Sequence, residues 1–427
     1  MIQKIDDIGF KLFFFLLTAS TVLYIYSLNF SGINISIFRV LFLLLCLKYF
    51  KDLIFRKEKI LKKHFFLIKI YFFVISINLF DYLRLNIGNT LGKDIINHII
   101  NFTLILLVVF YVNNEKRVNY VIKCYLLGSL IASYIAIFSW VQGHLPFEEI
   151  IRSNQSEIRE SQQFTGYFNL VTRFTSSFTD PSFYGLYLCF VLCLCIYFFY
   201  FQNKNKFIVI LFILNFLLLI LTLSRTALAG FFMIIVVSIF FIKNFYKLVI
   251  YFFILFILIV AFFIYSYPEL FELLIDVDIY KSLDSINARG DYWQNGINVF
   301  FSNPIIGGGT QKLSNDDFIS SAHLVYLSLL AKYGILGFLL YFTFLVYPIY
   351  YAIGNRKLLD KKYVFLIVAI YSSILLMYTT YDFFQFLEFQ YLIFGIVYAI
   401  IINRCGLNYQ KKTFFKEENM LIEGNKL

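Results

Sequence analysis

Polar residues that could carry out chemistry are concentrated between Arg289 and Gly337 of this otherwise apolar chain. His323 ends an acidic, polar stretch and stands at the start of a long apolar run. An imidazole with an unperturbed pKa of about 6.5 can accept a proton from a hydroxyl group near neutral pH. Because ionisable residues beside lipid are costly and for that reason usually functional, we predict that His323 is a general base. The alternative is a histidine at a helix start that bonds to the backbone.

Three arginines could hold a phosphate group. Arg225 lies between two apolar runs, and a guanidinium group can bind a phosphate with two parallel hydrogen bonds. Residues Asp291 to Phe301 could form a short helix that Pro304 stops. Arg289 precedes Trp293 by four residues, so both would lie on one helical face, with the indole available for stacking on a sugar. In the predicted topology, Arg173 lies on the external side of the membrane, as Arg225 and Arg289 do. The alternatives are an arginine that only fixes topology at 225 and a cation–π pair at 289 and 293.

Gly307, Gly308 and Gly309 could present backbone N–H groups to a phosphate, although such a run is more often a flexible turn. Asp276 and Asp278 have the spacing of the D-x-D pair that some glycosyltransferases use for a metal. This short match in an acidic stretch is not sufficient for a metal site, and we predict none. The remaining histidines (His64, His98 and His144) have no comparable group of polar residues near them in the sequence and are interpreted as structural.

The composition is that of a polytopic membrane protein. The chain has 427 residues, of which 60% are hydrophobic and 15% charged, whereas soluble domains have about 45–50% and about 25%. Apolar runs of about 20 residues predict about twelve transmembrane helices in an all-α fold. They lie near residues 10–30, 33–50, 65–83, 95–112, 119–142, 182–201, 207–223, 227–242, 248–267, 322–351, 363–381 and 387–403.

The distribution of Lys and Arg predicts the orientation of these helices. The basic residues are concentrated in the connections that are cytoplasmic when the N-terminus is inside, which places both termini in the cytoplasm. Residues 1–403 then form a single transmembrane domain with long external loops at about 143–181 and 268–322, and residues 404–427 form a cytoplasmic polar tail. This topology accounts for the net charge of +11, so we expect no nucleic-acid partner.

The chain resembles the bacterial O-antigen polymerase and O-antigen ligase superfamily. The ligase motif of that family is His, a polar residue, nine residues and Gly-x-x-Gly, and it is matched by His323 and by Gly334 to Gly337. Leu324 departs from the polar second position, and Lys332 stands where relatives often have an acid.

Three further elements of the family have counterparts here. They are an external Ser-Arg junction, an Arg and Trp before Pro-x-x-Gly-x-Gly, and an acid-Pro-Ser start of a middle span. The matching residues are Ser224-Arg225, then Arg289 and Trp293 with Pro304 to Gly309, and Asp180-Pro181-Ser182.

The resemblance implies a GT-C-like fold and a membrane glycosyltransferase whose donor is a polyprenyl-pyrophosphate-linked oligosaccharide. It implies that Arg225 and Arg289 hold the departing pyrophosphate, that His323 is the base for the acceptor hydroxyl, and that no cofactor is needed. Expected partners besides the bilayer are a chain-length regulator and a flippase of the same pathway. Three functions are compatible with the sequence: a polymerase, a ligase, and a flippase or transporter of lipid-linked sugars. The Asp180-Pro181-Ser182 element and Leu324 favour the polymerase.

Overall fold

The structure is a computed structural model. It describes residues 2–23, 27–30, 33–55, 69, 76, 89–142, 174–178, 180, 181–202, 205–247, 249–250, 265, 290–309, 324–379 and 387–403. The predicted spans 65–83 and 248–267 and the tail 404–427 therefore lie almost wholly outside the described residues.

The described residues are mainly helical, as the apolar runs predict. The helices are α1 (Ile2–Val22), α2 (Ile37–Phe55), α3 (Asn89–Tyr111), α4 (Glu115–Gln142), α5 (Pro181–Phe201), α6 (Lys206–Leu221), α7 (Arg225–Phe241), α8 (residues 290–302), α9 (Val325–Gly354), α10 (Lys361–Met377) and α11 (Glu388–Asn403).

The all-α fold class is confirmed, and a short antiparallel pair that the sequence analysis did not predict connects α1 and α2. Strands β1 (Ser27–Phe30) and β2 (Ile33–Ser36) pair Ser27 with Ser36 and Phe30 with Ile33. A pair this short satisfies backbone groups in a tight reversal and gives no alternating pattern long enough to detect in the sequence.

Three of the described helices, α4, α5 and α9, are long and apolar enough to cross a membrane, and shorter apolar helices lie in α1, α3, α6, α7 and α11. The protein is thus a helical membrane protein, while about twelve spans stays a prediction. Helix α5 is at the centre of the bundle. Its side chains from Tyr184 to Phe198 are buried around the whole circumference, as expected for a helix that is apolar on every face.

One end of the bundle, here called the site end, contains the starts of α5, α7 and α9. The amide of Val325 at the start of α9 donates to the carbonyl of Tyr378 at the end of α10, 3.2 Å away. Met377 of α10 in turn packs against Gly230 of α7. At this end Ser177 Oγ also donates to the carbonyl of Val22, the last residue of α1.

Polar contacts of another kind join the helices at the opposite end. Lys362 Nζ lies 2.5 Å from Glu115 Oε1, which connects the starts of α10 and α4. Asn403 Nδ2 at the end of α11 donates to the carbonyl of Val112 at 2.8 Å. Each helix end in these contacts was predicted to face the cytoplasm, and each helix end at the site end was predicted to be external. Which end faces the cytoplasm stays a prediction.

Candidate functional site

Arg225 is the first residue of α7 and is exposed at the site end. The helix begins here because the Ser224 hydroxyl accepts a hydrogen bond from the amide of Ala227 at 3.3 Å, which satisfies one of the free amides of the first turn. Residues 222–224 separate α6 from α7, so the two predicted spans are distinct helices. A cation at a helix N-terminus opposes the helix dipole, and an anion at this position would relieve that conflict.

The Asp180-Pro181-Ser182 element begins α5 beside the Arg225 junction. Asp180 caps the helix by accepting a hydrogen bond from the amide of Ser182 at 2.6 Å, with Pro181 in the first turn. One turn further, α5 approaches α7 so closely that a Cβ on Gly185 would overlap with the Cβ of Ala227. The element therefore has a clear role in helix initiation, and its glycine brings the starts of the two helices together.

A short buried segment, residues 174–178, lies against the same junction. The amide of Phe174 donates to the carbonyl of Leu221, the last residue of α6, at 3.2 Å, and the hydroxyl of Ser176 donates to the carbonyl of Ala132 at 2.7 Å. Arg173 itself lies outside the described residues, so its predicted role stays a prediction.

Trp293 lies on α8 with 39% of its surface exposed. The sequence predicted a short helix from Asp291 to Phe301 that ends before Pro304, and the structure has a helix over 290–302 followed by a turn at 304–306. Val299 of α8 packs with Ala331 of α9, so α8 is docked on the first half of α9. Arg289, one residue before the described part of α8, lies outside the described residues.

Helix α9 is broken at Gly334, whose φ of 63° and ψ of −169° are not helical. The prediction of one continuous span over 322–351 missed this break. The second half of the helix begins at Ile335, and its amide donates to the carbonyl of Pro304 at 2.9 Å. The amide of Leu336 likewise donates to the carbonyl of Ile305 at 3.3 Å. The loop after α8 thus supplies backbone partners that a continuous helix would supply itself.

The glycine run packs its backbone directly on this break. A Cβ on Gly307 would overlap with the carbonyl of Lys332, and a Cβ on Gly334 would overlap with the carbonyl of Ile305. The amide of Gly307 donates to Asn303 O and that of Gly308 to Ala331 O, both at 2.8 Å. These amides would have to leave their backbone partners to bind a phosphate, so the phosphate-binding role of Gly307, Gly308 and Gly309 stays a prediction. The structure gives the glycines a packing role that the sequence analysis did not assign.

His323 lies outside the described residues, which resume at Leu324. Leu324 precedes the first turn of α9 and provides no side-chain cap, in keeping with its departure from the polar residue of the family motif. Tyr326 in that first turn donates from its hydroxyl to the carbonyl of Leu375 at 2.8 Å. The start of α9 is therefore fixed to the end of α10 at the site end, where α7 also begins.

His98 is a polar residue whose surroundings the sequence did not reveal. It lies on α3 with 3% of its surface exposed, and its Nε2 is 3.4 Å from the hydroxyl of Tyr333, the residue before the break in α9. Its ring also lies 6.1 Å from that of Tyr341. A tyrosine directly before the break and a histidine on a distant span share no sequence signal, so only the packing of α3 on α9 identifies the pair.

The three cysteines of α5 (Cys189, Cys193 and Cys195) are buried within the helix core. In the part of the chain that the structure describes, no group of three or more His, Cys, Asp or Glu side chains could hold a metal ion. Asp276 and Asp278 lie outside that part.

Residues 207–342 match the family model described as O-antigen ligase. The matched segment is about a third of the chain and runs from α6 to the middle of α9, so it contains Arg225, Trp293, the glycine run and the break. No curated protein matches the chain. The family match confirms the resemblance to the O-antigen polymerase and ligase superfamily, whose members are membrane enzymes that act on lipid-linked glycans.

Proposed function

We propose that this protein polymerises polyprenyl-pyrophosphate-linked oligosaccharide repeat units of a surface polysaccharide, on the external face of a bacterial cytoplasmic membrane. The observation that carries the proposal is the convergence at one end of the bundle of the starts of α7 and α9. Helix α7 begins with Arg225 and helix α9 begins two residues after His323. Both starts lie within the segment that matches the O-antigen ligase family.

The donor in such a reaction has a pyrophosphate leaving group, so catalysis requires positive charge where negative charge accumulates. Arg225 suits this task because it is exposed at the N-terminus of α7, where a guanidinium group and the helix dipole act together on an anion. Arg289 and Arg173 would add further cations. Trp293 would stack on a sugar of the repeat unit. The exposed face of its indole on a helix docked against α9 is compatible with that role.

The acceptor in this reaction is a sugar hydroxyl, which must lose its proton as it attacks the anomeric carbon. His323 would accept that proton while the bond from the anomeric carbon to the pyrophosphate oxygen breaks. His323 precedes the start of α9 by two residues, and that start is fixed to the end of α10. The short connection would keep the imidazole at the site end.

An O-antigen ligase, which transfers the finished glycan to lipid A core or another acceptor, is the second candidate. The family description favours it, whereas Leu324 in place of the polar second residue of the ligase motif favours a polymerase. A flippase of lipid-linked sugars is the third candidate. A flippase does not require a large ordered external loop. Helix α8 lies in a predicted external loop and is docked on α9, which argues against a flippase.

Deletion of the gene in a host that makes the polymeric glycan separates the three candidates, with the glycan ladder as the measurement. Loss of a polymerase leaves single repeat units attached to the final acceptor. Loss of a ligase leaves long chains on the lipid carrier, and loss of a flippase leaves repeat units facing the cytoplasm. An unchanged ladder would contradict all three.

His323→Ala should lower polymer formation by about 100-fold or more while the protein remains in the membrane, because general-base catalysis contributes about that factor. The measurement is the glycan ladder after complementation of the deletion strain, with protein content determined in the same membranes. His64→Ala is the matched control, since His64 lies in a connection predicted to be cytoplasmic, and it should leave the ladder unchanged. Normal polymer in the His323 variant would exclude its catalytic role.

A further inference from the structure

Helix α8 has an exposed apolar stripe in addition to the face that it packs on α9. At about 100° per residue, its side chains fall into three sectors of similar width. The docked sector contains Gly296 and Val299, which are buried. The second sector is exposed and polar, with Asp291, Gln294, Asn298 and Ser302, and the third is exposed and apolar, with Trp293, Ile297 and Phe301. A surface helix of a soluble protein has one apolar face, directed to the core, so a second one indicates a further apolar partner.

The exposed apolar sector continues onto the surface of α9. Ile305, in the turn after α8, is exposed, and its carbonyl accepts a hydrogen bond from the amide of Leu336 at 3.3 Å. Leu336 and Leu339 are themselves exposed on the second half of α9, by 57% and 51%. Because α9 is long and apolar enough to cross a membrane, these exposed apolar side chains face lipid. We call the residues of α8 and its turn that extend this lipid-facing surface the α8 stripe: Trp293, Ile297, Phe301 and Ile305.

The break in α9 indicates how deep α8 lies relative to the bilayer. Tyr326 precedes the break, yet its ring is 6.3 Å from that of Phe338 and 6.1 Å from that of Phe342. In a straight helix, residues sixteen positions apart are separated by about 24 Å, so the two halves meet at a sharp angle at Gly334. The span is therefore residues 335–354, and about 20 helical residues cross about 30 Å, the thickness of the hydrocarbon core. The break, and α8 with it, thus lies at the boundary between hydrocarbon and headgroups.

We propose that α8 is an interfacial helix that lies along the bilayer at the site end, with the α8 stripe inserted into the edge of the hydrocarbon core. Each sector then has a suitable partner, since one packs on α9, one contacts lipid and one contacts water. Trp293 suits this depth because its indole has an apolar body and a polar N–H group. The contact with lipid is independent of the reaction that the protein catalyses. In the proposed reaction, it would hold Trp293 at the depth of the donor pyrophosphate and its first sugar.

The test is the accessibility of single nitroxide labels on the full-length protein in phosphatidylcholine nanodiscs, measured by power-saturation electron paramagnetic resonance. The background has Cys46→Ala and Cys405→Ser, because the other cysteines are buried. Labels at Ile297→Cys, Phe301→Cys and Ile305→Cys should collide more often with molecular oxygen, which is concentrated in hydrocarbon, than with a water-soluble nickel chelate. Because these three side chains are exposed, the labels should leave the packing of α8 on α9 unchanged.

Asn298→Cys is the matched control, since Asn298 follows Ile297 directly but lies in the exposed polar sector, and its label should collide more often with the nickel chelate. Leu339→Cys, on the lipid-facing surface of α9, should behave like the stripe positions. More frequent collisions with the nickel chelate at the stripe positions would overturn the proposal, because the stripe would then face water. Low collision rates with both reagents, together with dipolar broadening that disappears on dilution with unlabelled protein, would assign the stripe to a second copy of the chain instead.

Discussion

Gly334 has a backbone conformation that only glycine adopts at low cost, with a positive φ and an extended ψ. A side chain at this position would also collide with the carbonyl of Ile305 in the loop that supports the break. Gly334→Ala should therefore destabilise the protein by about 1–3 kcal/mol from backbone strain alone. The measurement is the apparent melting temperature of the purified protein in detergent, which should fall clearly below that of the wild type.

Gly354→Ala is the control for this substitution because Gly354 ends the same helix and a Cβ there would meet no atom within 4 Å. Its melting temperature should match or exceed that of the wild type, since alanine has the better helix propensity. If both variants melt at the same temperature, the break is not held by the contact between Gly334 and Ile305.

At the level of the helices, the sequence predicted where apolar segments lie but not how they are interrupted. The short helix α8 was predictable from the apolar run before Pro304, because a proline disrupts a helix locally, at its own position in the sequence. The break in α9 could not be predicted from the sequence, because Gly334 is a single glycine in an apolar run. The carbonyls of Pro304 and Ile305, which accept hydrogen bonds from the amides after the break, are some thirty residues away in sequence. The pairing of His98 with Tyr333 has the same origin, since both residues become partners only when α3 packs on α9.

The contact between α5 and α7 tests how helix packing sets the position of Arg225. Gly185→Ala would place a methyl group against Ala227 and force the helices apart, at a cost of about 1–3 kcal/mol from overpacking. Polymer yield should fall because Arg225 lies two residues before Ala227. Adding Ala227→Gly to the same variant removes the opposing methyl group, so it should restore most of the melting temperature and of the polymer. A double variant no better than Gly185→Ala would show that the two residues are not in contact.

At the scale of the whole molecule, the direction in which each helix crosses the membrane determines which helix ends meet on the same side. The ends of α1 and α10 and the starts of α5, α7 and α9 all meet at the site end, and a repeat unit carried on an external lipid requires this end to face outwards. The distribution of Lys and Arg predicts that orientation from the sequence alone, because basic residues remain on the cytoplasmic side. The packing adds that the predicted external ends converge, which no local pattern could indicate.

Single cysteines at exposed positions on the two ends would determine this orientation. Thr379 lies just after α10 at the site end, and Lys357 lies between α9 and α10 at the opposite end, and both are exposed. In a background with Cys405→Ser, a membrane-impermeant maleimide should label Thr379→Cys in intact spheroplasts and Lys357→Cys only after the membrane is permeabilised. The reverse pattern would place Arg225 and the start of α9 in the cytoplasm. A donor glycan on the outer surface could not reach them there, and the polymerase proposal would fail together with the predicted topology.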